Sequence, residues 1–395
     1  MTDFTAVDAA LERRIANEEY SGVSYAIVRG DEVIARNFIG WADREARQPI
    51  GEQHLFRIFS NTKLVTSCAA LQLMEQGRFS PDDPIGQYIP ALADLRVLRP
   101  GASALDDTEP AREPVRIRHL LTHTSGLSYW FLDPNHPLSK AYVERGIADP
   151  QLTLAQQMER LGTLPLLFQP GTQWNYSVST DVVGALVEVL SGQTLDRYFE
   201  RHIFEPLGMR DTFFVVPPEK ADRLAKLYLG DLVTPLKPGI KRADHLPWPD
   251  AYVKPVPRLN PGGGLVSSLD DYTTLLRALL AGGRGILKPG TMPLVFENQL
   301  PQDLWVGLPP VGPLEGRGHS YAASAGVFPS PQDPSRVAGE IQWGGLAGTQ
   351  WWISPRDNLA AVFMTQRYFG SGLPAWPEFK LNVMAALGGV KAPVA

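Results

Sequence analysis

The chain has 395 residues, with 37 lysines and arginines against 42 aspartates and glutamates, and one cysteine. That length exceeds the roughly 250–300 residues that one core comfortably fills, so a large domain with an insertion, or two domains, is expected. A formal net charge of −5, with no basic run longer than a pair, leaves no footprint for phosphate backbones or anionic lipid, which excludes nucleic acid and membrane as expected partners.

Residues 4–18 alternate charged and apolar side chains at helical spacing, unlike the uncharged run of an export signal, and no stretch reaches the roughly 18 apolar residues of a membrane span. The reading is a cytoplasmic protein of open oligomeric state. "SGVSYAIVRGDEVIARNFIGWAD" reads as two apolar strands joined by hairpin turn chemistry at "RGDE". "FRIFSNTKLVTSCAALQLMEQG", residues 56–77, follows as an almost uninterrupted apolar helix, on which Cys68 reads as a packed core thiol. From about residue 80 the chain turns to Pro-punctuated helices and loops, and Val233 to Pro257 reads as a long ordered loop. After Val337 come three strand-length runs, "VAGEIQWGG", "GTQWWISP" and "NLAAVFMTQRY", then a last helix within "AWPEFKLNVMAALGG". Strands at both ends and helices between predict an α/β (α+β) fold. Residues 1–79 and 255–395 would form a discontinuous α/β domain, residues 80–254 a mainly helical insertion, with the active site at their interface.

Three segments carry candidate chemistry. Ser60 and Lys63 are spaced to share a helix face, so an ammonium nitrogen could reach a hydroxyl oxygen. A serine is a poor nucleophile until a neighbour takes its proton, and a lysine in a dry pocket loses its own more readily than one in water. The structural alternative is an N-capping serine with a snorkelling lysine. Tyr176, in "QWNYSVSTDVV" ahead of a helix that Ser179 or Thr180 would cap, could complete such a site, or could be a packed aromatic. "IQWGGLAGTQ", residues 341–350, places two glycines on a strand, which suits either close approach of backbone N–H donors to a substrate on an edge strand, or a bulge or tight turn.

His119 and His123 have i, i+4 metal spacing but lack the glutamate of a metalloprotease helix and a nearby third ligand, so no metal is assigned. "NPGGGLVSSLDDY" lacks the ending of a phosphate loop; Ser267 or Ser268 with Asp270 or Asp271 reads there as a capped helix start. No nucleophile elbow of the α/β-hydrolase kind is present.

Taken together and in this order, "FSNTK", "IRHLLTHTSGL", "WNYS", "EPLGM", "GGGLVSSLDDY" and "WGG" resemble the class C β-lactamase-like serine hydrolases: penicillin-binding proteins, class C β-lactamases and family VIII carboxylesterases. The resemblance runs from Gly22 to Leu387. It implies a β-lactamase/transpeptidase-like fold, an antiparallel sheet flanked by helices with an inserted helical domain. It further implies Ser60 as acylated nucleophile, Lys63 and Tyr176 as base and proton relay, the N–H groups of Ser60 and Leu346 as oxyanion hole, and no cofactor. Two departures matter. Where the β-lactamases have Y-x-N this chain has Tyr176, Ser177 and Val178, and where they have K-T-G it has Trp343, Gly344 and Gly345. Losing a lysine that binds a substrate carboxylate removes about 1.5–3 kcal/mol, and W-G-G is familiar in the family's esterases. The expectation is a serine carboxylesterase for small neutral esters, with Trp343, Gly344, Gly345, Tyr129 and Trp130, and Phe131 beside them, around the substrate. Acyl transfer on the same fold, weak β-lactam hydrolysis and a catalytically silent binding role stand as alternatives.

Overall fold

Helix α1 (Thr5–Ala16) leads into the expected hairpin, β1 (Gly22–Arg29) and β2 (Glu32–Asp43), turning at Gly30 and Asp31. These come from a computed structural model that describes residues 2–301, 303–308, 312–327 and 337–389. A two-residue strand β3 (Gln48–Pro49) extends β2, and helix α2 (Thr62–Glu75) follows. Further along come helices α3 (Ser179–Ser191) and α4 (Leu269–Leu280). The C-terminal part contributes β4 (Arg317–His319), β5 (Ser324–Gly326), β6 (Ile341–Gly344), β7 (Gln350–Ser354), β8 (Leu359–Thr365) and helix α5 (Ala375–Ala386). Among the described residues these strands form one sheet in the order β4-β5-β6-β7-β8-β1-β2-β3, antiparallel throughout. The two ends of the chain meet where Val23 pairs with Thr365.

The central strands are buried on both faces, and their two-residue period sorts side chains between two cores. Tyr25, Ile27, Trp352, Ala361 and Phe363 face one way, against Val7 and Leu11 of α1 and Trp376 and Phe379 of α5. Ala26, Val28, Trp351, Ile353, Val362 and Met364 face the other, into the large core that holds α2, α3 and α4. Helix α2 is buried from Thr62 to Leu73, which accounts for its nearly unbroken apolar sequence. Cys68 lies inside that core, its thiol pushed up to about 12 by burial.

Sequence and structure part at several places. The middle of the chain has fewer residues in helices than its text suggests: long connections separate Ile117–Leu121, Pro137–Glu144, Leu154–Leu161 and α3, and Arg96–Leu98 pairs with Thr108–Pro110 as a small hairpin. Strands β4 and β5 were not expected, because three-residue segments with Gly318 and Gly326 carry no readable alternation. Strand β6 is not the sheet's edge, since β5 lies beyond it. That pairing ends at Gln342, however, so among the described residues the backbone from Trp343 onward has no strand neighbour on that side. Ser268 does cap α4, accepting from Asp271 N at 3.1 Å. The other expected cap fails: Ser179 is already inside α3, and Ser177 Oγ accepts from the Ser179 N–H at 3.3 Å.

Among the described residues no helix is long and apolar enough to cross a membrane.

Candidate active site

Ser60 does not cap α2. It sits in a 3₁₀ turn, Phe59–Asn61, immediately before the helix, and α2 has no side-chain cap at Asn61. Phe59 enters this turn at φ +43°, a left-handed conformation that costs a non-glycine residue on the order of 1–3 kcal/mol. Its ring is held edge-on by Tyr252 and Tyr368, with centroids 5.8 and 5.7 Å away. The packing fixes the strained residue, and the strained residue aims the serine.

The Ser60 hydroxyl meets a phenol. Tyr176 Oη lies 2.7 Å from Ser60 Oγ, although the two residues are 116 positions apart in the chain. The segment carrying Tyr176 is tied to the "HTSGL" segment: Asn175 N donates to the His123 carbonyl at 2.9 Å, Asn175 Nδ2 to the Leu127 carbonyl at 3.0 Å, and Ser125 and Ser179 hydroxyls bond at 2.8 Å. The Tyr176 ring stacks on Trp174 at 6.5 Å and meets His123 at 5.1 Å.

Lys63 Nζ does not reach Ser60 by the hydrogen bond that i, i+3 spacing suggested, because Ser60 lies in the turn before the helix begins. It donates instead to the Gly262 carbonyl at 2.6 Å and to Tyr129 Oη at 3.1 Å, and sits 4.7 Å from the centroid of the Tyr176 ring. The lysine is 5% exposed and makes no ion pair among the described residues. The ammonium therefore faces the phenol that faces the serine.

Tyr129 bonds Lys63 Nζ at 3.1 Å and meets the Tyr176 ring at 4.9 Å. It is 7% exposed, and burial, with Tyr176 and Asp181 nearby, pushes its phenol well above the ordinary value. Trp130 packs edge-on against it at 5.6 Å, Phe131 stacks on it at 4.8 Å, and the Phe131 ring is largely exposed. Trp343 approaches the Tyr176 ring at 5.4 Å from β6. Of these aromatics Tyr129 and Trp343 meet the Tyr176 ring, and Trp130 and Phe131 pack on Tyr129.

Gly344 closes β6, paired with Gln350, and Gly345 and Leu346 open the turn that leads to β7. A Cβ on Gly345 would collide with the Ile58 carbonyl oxygen, which also accepts from Thr349 Oγ1 at 3.2 Å. The glycine thus lets this turn dock two residues upstream of Ser60. Gly370 N donates to the Leu346 carbonyl at 3.1 Å, and no hydrogen bond takes the Leu346 N–H among the described residues.

Sequence reasoning missed two members of the cluster. The glycine run at 262–264, read as a helix lead-in, supplies the carbonyl that holds Lys63. Asp181, on the first turn of α3, is 3% exposed and accepts from Gln157 Nε2 at 3.1 Å. Burial raises its carboxyl, against the pull of Arg258 and Lys63. A backbone carbonyl has no sequence signal, whereas the apolar surroundings of Asp181 in "STDVVGALV" could have marked a buried carboxylate.

The two histidines of "HLLTH" turn to separate partners. His119 Nδ1 accepts from Arg116 N at 3.2 Å, and His123 Nδ1 bonds the Ser177 hydroxyl at 3.1 Å. Burial, helped by His319 and Lys63, holds His123 well below the usual imidazole range. It is a neutral wall of the site.

Comparison with known proteins adds family context. A family profile described as beta-lactamase matches residues 7–381. Protein Rv1367c of Mycobacterium tuberculosis is 32% identical over 387 residues, covering 93% of this chain and 89% of that protein. Esterase EstB of Burkholderia gladioli is 31% identical over 375 residues, covering 91% and 89%. Among solved structures, EstCE1, described as a hydrolase with promiscuous acyltransferase activity, superposes with a TM-score of 0.79 at 28% identity over 98% of both chains.

Proposed function

Since this chain belongs to the beta-lactamase family, we propose that it is a serine carboxylesterase acting on small neutral esters through an acyl-serine intermediate. The observation that carries the reading is the 2.7 Å approach of Tyr176 Oη to Ser60 Oγ, with the Lys63 ammonium over the same ring. The likeness to an esterase over nine-tenths of the chain supports it.

In this reading Tyr176 works as a phenolate beside the Lys63 ammonium, and that phenolate takes the Ser60 proton as Oγ attacks the ester carbonyl. Lys63 holds the charge that the phenol gains or loses. The oxyanion rests on the N–H groups of Ser60 and Leu346, donors that cost no reorganisation when the charge develops. Tyr176 returns the proton to the leaving alcohol, and a water then enters by the same route in reverse to release the acid. Tyr129, kept protonated by burial, orients Lys63 and does not itself trade protons with the ester. With Trp343 where a lysine would grip a carboxylate, an uncharged ester is favoured. Trp343, Trp130 and Phe131 would cover its apolar parts.

Turnover of p-nitrophenyl acetate and butyrate tests this directly. Ser60→Ala should lower kcat/KM by about 10⁴-fold or more, and a fluorophosphonate probe should add one adduct to the wild type and none to the variant. Unchanged turnover in the alanine variant ends the proposal.

Acyl transfer on the same site is the second reading, favoured by the EstCE1 likeness and by the aromatic mouth, since a dry pocket slows water more than an alcohol. Adding a panel of acceptor alcohols and weighing the products separates the two.

A further inference from the structure

The buried carboxylate of Asp181 lies near Lys63 without an ion pair to it among the described residues, and the Arg258 guanidinium acts on that carboxylate in turn. A Cβ built on Gly262 would stand 2.9 Å from Asp181 Oδ2, 3.2 Å from Lys63 Nζ and 3.2 Å from Tyr129 Oη. Three polar atoms from three separate segments thus converge on one point that only a glycine leaves free. Asp181 Oδ2 and Lys63 Nζ can be no more than 6.1 Å apart, the sum of the first two distances, yet no ion pair joins them among the described residues. The Gly262 carbonyl instead takes a direct bond from Lys63 Nζ, at 2.6 Å. On the other flank Arg258, 5% exposed, donates to the carbonyls of Ile147 and Ala148 at 2.8 and 2.6 Å, and burial lowers its guanidinium against the pull of Asp181.

From this juxtaposition we infer that Asp181 is a positioning residue for the proposed reaction: an anion held at one remove from Lys63, which keeps the positive charge of the Lys63–Tyr176 couple on the lysine. The inference rests on the serine-hydrolase reading of the same site. A carboxylate in contact would tie Lys63 into an ion pair. At one remove it stabilises the ammonium by field alone and leaves Nζ free to turn toward the phenol. Among the described residues, Lys63 faces Tyr129, Tyr176, His123, Asp181 and the Gly262 carbonyl and shares its cavity with His319, and Asp181 faces Lys63, Arg258, Tyr129 and Gln157. His123 is held neutral and Tyr129 protonated, while the pull of Arg258 and Lys63 opposes the burial that raises the Asp181 carboxyl.

The sign of the effect follows. An anion makes the couple harder to deprotonate, so removing it moves the acid limb of the kcat/KM–pH profile to lower pH. A unit charge at this range in a partly polarisable interior corresponds to about one to two pH units. A weaker base also lowers the plateau, by about three- to tenfold at half Brønsted sensitivity.

The experiment compares the full pH profile of p-nitrophenyl butyrate hydrolysis for wild type and Asp181→Asn, which is isosteric and keeps an acceptor for Gln157. A melting curve and stoichiometric Ser60 labelling by a fluorophosphonate report whether the variant is folded and whether the nucleophile is in place. The expected result is a labelled, folded variant whose acid limb has moved down, with KM changed less than kcat. Gly262→Ala, which puts a methyl between the three atoms, should move the limb the same way, and it serves if the asparagine variant does not fold. A folded Asp181→Asn enzyme with an unmoved limb overturns the inference and leaves the esterase reading intact. Absence of a Ser60 adduct in the wild type would overturn that reading instead.

Discussion

Lys63 and Lys380 are both buried, on opposite faces of the same sheet. Lys380, from α5, bonds the Glu340 carboxylate and, at 3.0 Å, Gln342 Oε1, and lies over the Trp352 ring. Lys63 bonds a backbone carbonyl and a phenol. Strand β6 serves both: Gln342 points to Lys380, and its neighbour Trp343 points to the site. A lysine in contact with a buried carboxylate cannot give up its proton without stranding the anion, so it acts as a fastener. A lysine among neutral oxygens leaves no such debt and is free to act in proton transfer. Burial alone therefore does not mark a catalytic lysine; the nature of its nearest oxygens does.

Substituting each lysine in turn tests the contrast most strongly. Lys63→Met should lower kcat/KM by about 10³-fold with little change in melting temperature. Lys380→Met should leave Glu340 uncompensated and cost about 3–5 kcal/mol in denaturant unfolding. The folded fraction of that variant should still label at Ser60. Adding Glu340→Leu to Lys380→Met should recover most of the lost stability. Equal destabilisation by the two single variants would dissolve the distinction.

The phenols around Lys63 sharpen it. Tyr176→Phe removes the group that meets Ser60 and should lower kcat by about 10²–10⁴-fold. Tyr129→Phe removes one of the two oxygens on Lys63 and should lower kcat by about two- to tenfold, the worth of one hydrogen bond. Comparable losses would make Tyr129 a proton carrier and not a brace. The last test is at the mouth. Trp343→Lys introduces a cation that is neither fastened nor enclosed, and should raise relative turnover of carboxylate-bearing esters over neutral ones by about tenfold.

The sheet was readable wherever strands were long and flanked by turn chemistry, as in β1, β2, β7 and β8, and unreadable in β4 and β5, where three residues with a glycine give no period. At the site, Ser60, Lys63 and Tyr176 stood out because hydroxyl, amine and phenol are unusual companions for apolar helices. Their wiring did not. Spacing put Ser60 and Lys63 on one helical face, but the backbone turns at Phe59 and the helix starts only at Thr62, so the contact passes through Tyr176. The depth of Tyr129 and the role of the Gly262 carbonyl arise from long-range packing, which no local pattern encodes. Asp181 was hidden for the opposite reason: acidic residues near a helix start are common enough to pass as dipole partners.

The seam between β1 and β8 joins positions roughly 340 apart in the chain. A ribosome working from the N-terminus releases the first hairpin long before its partner strand is made, so one flank of that ribbon stays open for most of synthesis. Bare strand flanks recruit other strands, including those of neighbouring nascent chains. For this protein the hazardous interval is the translation that separates β2 from β8, and yield on overexpression should depend on how well chaperones cover that flank until β8 arrives.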